Sequence, residues 1–88
     1  MGIELRNELI KKHIGKKVKH FKGKEYLILD IAEHTETGEE MVVYKALYDE
    51  CKVWVRPLRM FSEPVDKVKY PNAEQDFRFD LVDIEIFD

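Results

Sequence analysis

The sequence predicts a mainly β fold, a small antiparallel β-barrel with a short N-terminal helix and a C-terminal strand extension. β-branched and aromatic residues are concentrated between residues 39 and 61, as is typical of strands. Five short apolar segments separated by polar turns fall within roughly fifty residues, as in hairpin-linked sheets. Closure into a barrel removes the unpaired strand edges that a domain of 88 residues would otherwise expose.

The N-terminal third predicts a helix followed by a hairpin. Isoleucine and leucine recur at helical spacing over residues 1–14, and Gly15 stands where a helix would end. Residues 17–22 and 25–33 then predict two strands joined at Gly23. Because residues 25–33 carry apolar side chains in both phases, we expect a central strand covered on both faces.

Residues 39–61 predict a second hairpin with its connection at the polar residues 49–52. Pro57 has no N–H to donate to a neighbouring strand, so it should end the second strand of this hairpin. Residues 58–61 predict a single 3₁₀ turn, and residues 62–65 predict the fifth strand. The nearest architecture with this order is the SH3-like barrel.

Length and charge indicate a single domain with oppositely charged ends. We assign residues 1–14 to the helix, 15–69 to the barrel and 70–88 to an acidic strand extension. Residues 11–24 hold seven lysines and no acid, whereas residues 74–88 hold six acids against Arg78 alone. We expect the acidic extension to add a strand to its own sheet or to join a second chain, which would make a homodimer.

Motifs for chemistry are absent from the sequence. The histidines and the single cysteine show no paired metal-ligand spacing, the glycines are scattered, and the only serine has no nucleophile-elbow pattern. We therefore predict no enzyme activity, metal or cofactor, with a small metal-dependent enzyme centred on His20 or His34 as the less favoured alternative. One cysteine, no signal sequence and no long apolar run predict a cytoplasmic protein without membrane contact.

The favoured function is a binding or adaptor module for an unknown protein or small ligand. Alternate residues share a face of a strand, so aromatic and cationic side chains of the second hairpin could line one surface. A tryptophan in so small a domain can equally belong to the core, and the sequence leaves that choice open. The candidate ligand residues are Trp54, Arg56, Tyr44, Tyr48 and His34.

Nucleic-acid binding is the alternative function, because cations interleaved with rings can hold phosphates and stack bases. The competing interpretation is a solvated edge strand that lysines protect from unwanted pairing. The candidate nucleic-acid residues are Lys16, Lys17, Lys19, His20, Lys22 and Lys24.

Several of these segments together resemble a bacterial family, the domain of unknown function 1653. The resemblance covers about residues 15–65 and is carried by GK at 15–16, HFKG at 20–23, Tyr26, HTET at 34–37, VVY at 42–44, LY at 47–48, WVRP at 54–57, MF at 60–61 and Glu63. It implies an SH3-like fold and no established activity. The sequence departs from the family pattern at Cys51, where glycine-rich sequence is common, and in its acidic tail.

Overall fold

The computed structural model describes residues 3–81, which form five strands and two short helices. The elements in chain order are α1 (Ile3–Lys11), β1 (Lys17–His20), β2 (Glu25–Glu33), β3 (Glu40–Ala46), β4 (Val53–Pro57), α2 (Leu58–Phe61) and β5 (Phe79–Asp80). Every strand pairs antiparallel with its neighbours, in the order β4-β3-β2-β1-β5. The C-terminal strand extension was predicted within residues 70–88, of which residues 82–88 lie outside the described residues.

The prediction of a mainly β fold is confirmed, but the closed barrel is not. Strands β4 and β5 occupy the two ends of the strand order, so the sheet remains open. The fifth strand was also expected at the wrong place. Residues 62–65 contribute only an isolated bridge between Pro64 and Phe77, since a proline offers no N–H to a ladder. The fifth strand of the sheet is Phe79–Asp80, from the acidic tail.

Predicted element boundaries agree well with the structure elsewhere. Helix α1 ends at Lys11, and the chain then turns to Gly15, whose φ of 84° favours a residue without a side chain. Strand β4 ends at Pro57, as predicted. The turn at Leu58–Phe61 is α-helical, where a 3₁₀ turn was expected.

Strand β2 differs from the prediction because only one of its faces is covered. Tyr26 and Ile28 are buried, whereas Leu29 is 38% exposed. The pairing of β2 with β3 shifts between Ile28 and Asp30, so that Leu29 forms a bulge. This bulge breaks the alternation of side chains and leaves the outer face of β2 to solvent.

The core lies between the inner face of the sheet and the two helices. Phe61 from α2 stacks on Phe79 from β5, with ring centroids 3.9 Å apart and planes inclined by 5°. The largest of the fully or almost fully buried apolar side chains are Ile10, Val18, Ile28, Val42, Phe61 and Phe79. A residue of the acidic tail is therefore central to the core.

Neither helix within residues 3–81 is long and apolar enough to cross a membrane.

Candidate functional site

The two edge strands of the open sheet approach each other. In a flat sheet, four strand spacings would separate β4 from β5 by about 19 Å. Instead, the guanidinium carbon of Arg56 on β4 lies 5.7 Å from the ring centroid of Phe79 on β5. The sheet therefore curls until its edges face each other, and side chains rather than main-chain hydrogen bonds bridge the gap.

This gap is an open groove of about 600 Å³, which we call the seam groove. Strand β4 forms one wall, β1 and β5 form the other, and tyrosines of β2 and β3 form the floor. Its lining residues are His20, Tyr26, Tyr44, Val53, Trp54, Val55, Arg56 and Phe79. Rings dominate this lining, and none of these residues is acidic.

Strand register places Trp54 and Arg56 on the inner wall of the groove. Trp54 is opposite Tyr44, and Arg56 is opposite Val42. Because Tyr44 and Val42 are buried and cross-strand partners share a face, Trp54 and Arg56 also point inwards. Trp54 is nevertheless 40% exposed, since β4 is an edge strand and the groove is open above it. The structure thus decides the question left by the sequence: Trp54 is a half-covered wall residue, 6.2 Å from the Tyr44 ring.

Arg56 gives the groove a positive charge. The guanidinium contacts the ring of Phe79, and no carboxylate among residues 3–81 forms an ion pair with it. Lys22 and Arg78 contribute further positive potential at the His20 end. Arg78 is paired with Glu63 at 3.0 Å, so Arg56 is the cation better placed to meet an anionic ligand.

His20 is held neutral at the mouth of the groove. Burial, followed by the charges of Arg78, Arg56 and Lys22, lowers the pKa of His20 to about 4. The backbone N–H of Lys22 donates to Nδ1 of His20 at 3.1 Å, so the proton of the neutral ring resides on Nε2. His20 is consequently a hydrogen-bond donor through Nε2 at neutral pH.

The floor of the groove depends on Tyr26, which the sequence analysis did not select. Its ring lies 5.3 Å from Tyr44, 5.8 Å from Phe79 and 6.3 Å from Trp54. Its hydroxyl shares a hydrogen bond of 2.9 Å with the hydroxyl of Tyr48. Burial, together with this hydrogen bond, raises the pKa of Tyr26, so the floor stays uncharged.

Two of the predicted ligand residues lie outside the seam groove. Tyr48 lines a neighbouring depression with residues 49–52, and its ring faces the ammonium group of Lys24 at 4.4 Å. His34 lies in the exposed loop between β2 and β3, where its Nδ1 accepts the backbone N–H of Glu36 at 3.2 Å. The structure therefore brings Trp54, Arg56 and Tyr44 together in the groove, places Tyr48 beside Trp54 in the neighbouring depression, and leaves His34 apart from them. No group of three or more histidine, cysteine or acidic residues within the described part of the chain could hold a metal ion.

The predicted basic patch is divided between the two faces of β1. Val18 is fully buried and His20 lines the groove, so Lys17 and Lys19, which alternate with them, point to the outer face. Lys17 lies 3.6 Å from Glu25 on the neighbouring strand. His20 therefore belongs to the groove rather than to the lysines around it in sequence.

The remaining lysines of the patch lie beyond the ends of β1. Lys16 is exposed just before the strand. The ammonium group of Lys22 lies 5.2 Å from the ring centroid of Tyr70, and Lys24 faces Tyr48. Only Lys17 and Lys19 thus share one strand face.

The groove residues that the sequence analysis missed belong to elements distant in the chain. The spacing of residues along β2 could have indicated Tyr26, because it lies two residues before the buried Ile28 and therefore shares the inner face with it. The alternation of Phe77, Phe79 and Leu81 indicated a strand in the tail but not its partner, since the pairing of Phe79 with His20 joins residues 59 positions apart. The groove could be assembled only once β5 was paired with β1.

The fold and groove together define a small mainly β protein with an aromatic groove between the two edges of an open sheet. The model of the family described as Protein of unknown function (DUF1653) matches residues 16–81. The chain belongs to this family. The match extends beyond the 15–65 region that carried the resemblance and includes β5.

A solved structure supports the same assignment. The chain is 34% identical to a DUF1653 protein from Bordetella bronchiseptica whose crystal structure is known, with a TM-score of 0.65. The similarity covers 82% of this chain and 90% of that chain. No curated protein matches the sequence.

Proposed function

We propose that this protein is a non-catalytic binding module and that the seam groove is its ligand site. The observation that carries the proposal is that Trp54, which is 40% exposed, and Arg56 lie on the same wall of the groove. Arg56 has no acidic partner within residues 3–81. Tryptophan, tyrosine and arginine are the residue types that are enriched at the energetic centres of binding interfaces.

The lining indicates the chemistry of the ligand. The rings of Trp54, Tyr44 and Phe79 favour an apolar or planar group, by stacking and by excluding water. The guanidinium of Arg56 and the Nε2–H of His20 favour an anion such as a carboxylate or phosphate. We therefore propose a ligand that combines an apolar body with a negative charge.

The groove supports binding better than catalysis. Its lining offers one neutral imidazole and one guanidinium, without a carboxylate, thiol or aliphatic hydroxyl. The lowered pKa of His20 makes this ring a weak base at neutral pH. Tyr26 is likewise kept protonated. These groups suit hydrogen bonding to a ligand rather than proton transfer.

We also propose that the open sheet is an SH3-like barrel whose last gap is the ligand site. The contact between Arg56 and Phe79, across strands that a flat sheet would hold far apart, supports this relationship. The helical turn of α2 directly after β4 also agrees with the order expected for such barrels. A barrel left open in this way exposes aromatic side chains that closure would bury.

Titration of the isotopically labelled protein with small aromatic anions tests the proposal. Phenyl phosphate and benzoate should shift the NMR signals of the Trp54 indole N–H and of the His20 and Phe79 amides, whereas neutral benzyl alcohol should shift them less. Arg56→Gln should weaken anion binding about tenfold. Arg59→Gln is the matched control, because Arg59 is exposed and paired with Glu39 away from the groove. Shifts confined to other surfaces, or equal losses in both variants, would refute the groove assignment.

Nucleic-acid binding remains a second candidate, favoured by the placement of Lys17 and Lys19 on the outer face of β1. Two lysines on one strand face can hold adjacent phosphates. This surface faces away from the seam groove, so the two candidates are separable by mutation.

A further inference from the structure

Strand β4 has a main-chain edge that no other part of residues 3–81 pairs with. The N–H of Ala46 donates to the carbonyl of Lys52 at 2.9 Å, which identifies this pair as hydrogen-bonded across β3 and β4. In an antiparallel ladder the hydrogen-bonded pairs recur at every second residue. Trp54 and Arg56 therefore direct their main-chain groups towards β3. Val53 and Val55 direct theirs towards the open edge.

Pro57 belongs to the same set of alternate residues as Val53 and Val55, and it ends the run of main-chain donors along the open edge. It follows Val55 by two residues, so its missing N–H would also have faced outwards. The edge consequently offers two N–H groups, from Val53 and Val55, together with their carbonyls. Val53 and Val55 are themselves 52% and 59% exposed. The strand is thus apolar on its outer face and hydrogen-bonding along its edge.

On the opposite wall of the groove, the main-chain carbonyl of Phe79 on β5 already accepts a hydrogen bond. Phe21 N–H donates to the Arg78 carbonyl at 2.9 Å, so the main chain of Phe79 faces away from β1. The guanidinium of Arg6, from α1, donates to the Phe79 carbonyl at 2.8 Å. An added strand therefore finds hydrogen-bonding partners on β4 and a blocked carbonyl on β5.

Charge favours an acidic occupant of this edge. Arg56 follows Val55 directly and points into the groove, where no acidic side chain lines the wall. Lys52 stands at the other end of the edge, 3.6 Å from the exposed Glu50. Glu50 compensates the charge of Lys52, so Arg56 supplies the cation that an acidic chain laid along β4 would meet.

We propose that β4 accepts an extended acidic peptide of a partner protein as an added strand. Val53 and Val55 would exchange main-chain hydrogen bonds with this peptide, and alternate peptide side chains would enter the seam groove. There a glutamate carboxylate pairs with Arg56 and the methylene groups of the glutamate two residues away pack on Trp54, while the intervening apolar side chains lie beside Val53 and Val55 on the outer face. The inference rests on the proposed function, since it names the class of ligand that the groove holds.

The probe is the synthetic peptide acetyl-VEVEV-amide, titrated into the full-length labelled protein. We expect the Val53 and Val55 amides to shift and their hydrogen exchange to slow at least about tenfold at saturation. The neutral peptide acetyl-VQVQV-amide should bind more weakly. Arg56→Gln should remove this difference in affinity, because it should weaken binding of the acidic peptide about tenfold and change binding of the neutral peptide little.

Two changes test the main-chain hydrogen bonds directly. Val55→Pro removes one outward N–H without removing a bond to β3, and should abolish binding of both peptides. Val55→Ala is the matched control, which retains the N–H and should retain binding. Should Val55→Pro unfold the protein, a VEVEV peptide methylated on the amides that face β4 serves instead. That peptide should fail to bind the unaltered protein.

Failure of this inference differs from failure of the proposed function. If aromatic anions shift the groove signals while VEVEV leaves the Val53 and Val55 amides unchanged, strand addition is refuted and the groove remains a ligand site. A dimer of the unaltered protein that Val55→Pro converts to a monomer would overturn the assignment in favour of a second copy of this chain. Peptide binding that requires deletion of residues 82–88 would overturn it in favour of the chain's own C-terminal segment.

Discussion

Replacing Phe79 by alanine tests whether the acidic tail is an appendage or part of the core. Phe79 is 1% exposed and stacks on Phe61. Its ring also lies 5.8 Å from Tyr26 and 6.1 Å from Tyr44. The side chain thus joins α2 and β5 to the two central strands of the sheet. If this packing is correct, Phe79→Ala should leave a large cavity.

The cost follows from the area that this ring removes from water. An aromatic side chain buries about 150–250 Å², which at about 25 cal/mol per Å² gives an upper bound of about 4–6 kcal/mol. Phenylalanine-to-alanine changes in cores cost about 3–5 kcal/mol, and we expect Phe79→Ala to fall in this range. A domain has only about 5–15 kcal/mol in total, so the variant should be largely unfolded at modest denaturant concentration.

Urea denaturation followed by circular dichroism and Trp54 fluorescence measures this free energy of unfolding. Phe79→Leu refills most of the space and should cost less than about 1.5 kcal/mol. Val68→Ala is the control, since Val68 is 94% exposed and should change stability by no more than about 0.5 kcal/mol. A loss below about 1 kcal/mol in Phe79→Ala, with an unchanged denaturant slope, would show that β5 does not belong to the core.

Three further predictions concern the turn, the groove and the lysines. Cys51→Gly should stabilise the protein by about 0.5–1 kcal/mol in urea denaturation, because Cys51 has a φ of 54°, which glycine adopts without strain. Stability should fall between pH 6.5 and 4, because in this window the unfolded state protonates His20 while the folded state, with a pKa of about 4, does not. Because His20 is only partly buried and solvent screens its charge, we expect it to contribute about 1 kcal/mol to this loss of stability, measured as the difference between the unaltered protein and His20→Gln. Replacing Lys16, Lys17 and Lys19 by glutamine should weaken binding to a short DNA duplex and reduce its salt dependence.

Each of these predictions has an outcome that contradicts it. A destabilised Cys51→Gly variant would place Cys51 outside the left-handed region. A His20 ring signal that titrates near pH 6.5 in NMR would contradict its burial beside cations. Unchanged DNA affinity and salt slope in the triple lysine variant would exclude the outer face of β1 as a phosphate-binding surface, with Lys67→Gln as the charge control.

The sequence by itself determined most of the local structure. The prediction for β2 matches Glu25–Glu33, and Pro57 correctly ends β4. These features depend on side-chain alternation and on the missing N–H of proline, both of which act over a few residues. Pairing Trp54 and Arg56 with Tyr44 on one surface was likewise predictable, since hairpin register follows from nearby residues.

Only the tertiary structure decided how the two edge strands of the sheet, β4 and β5, come to face each other. The alternation of Phe77, Phe79 and Leu81 indicates a strand in the acidic tail, but it does not identify the partner of that strand, because β5 pairs with a strand some sixty residues earlier. The pairing of β5 with β1 moved His20 from the lysine patch into the groove and made Phe79 a core residue. The curl of the sheet then left Trp54 half exposed. Residue type and spacing fix which face of a strand a side chain occupies, but its burial depends on which distant element covers that face.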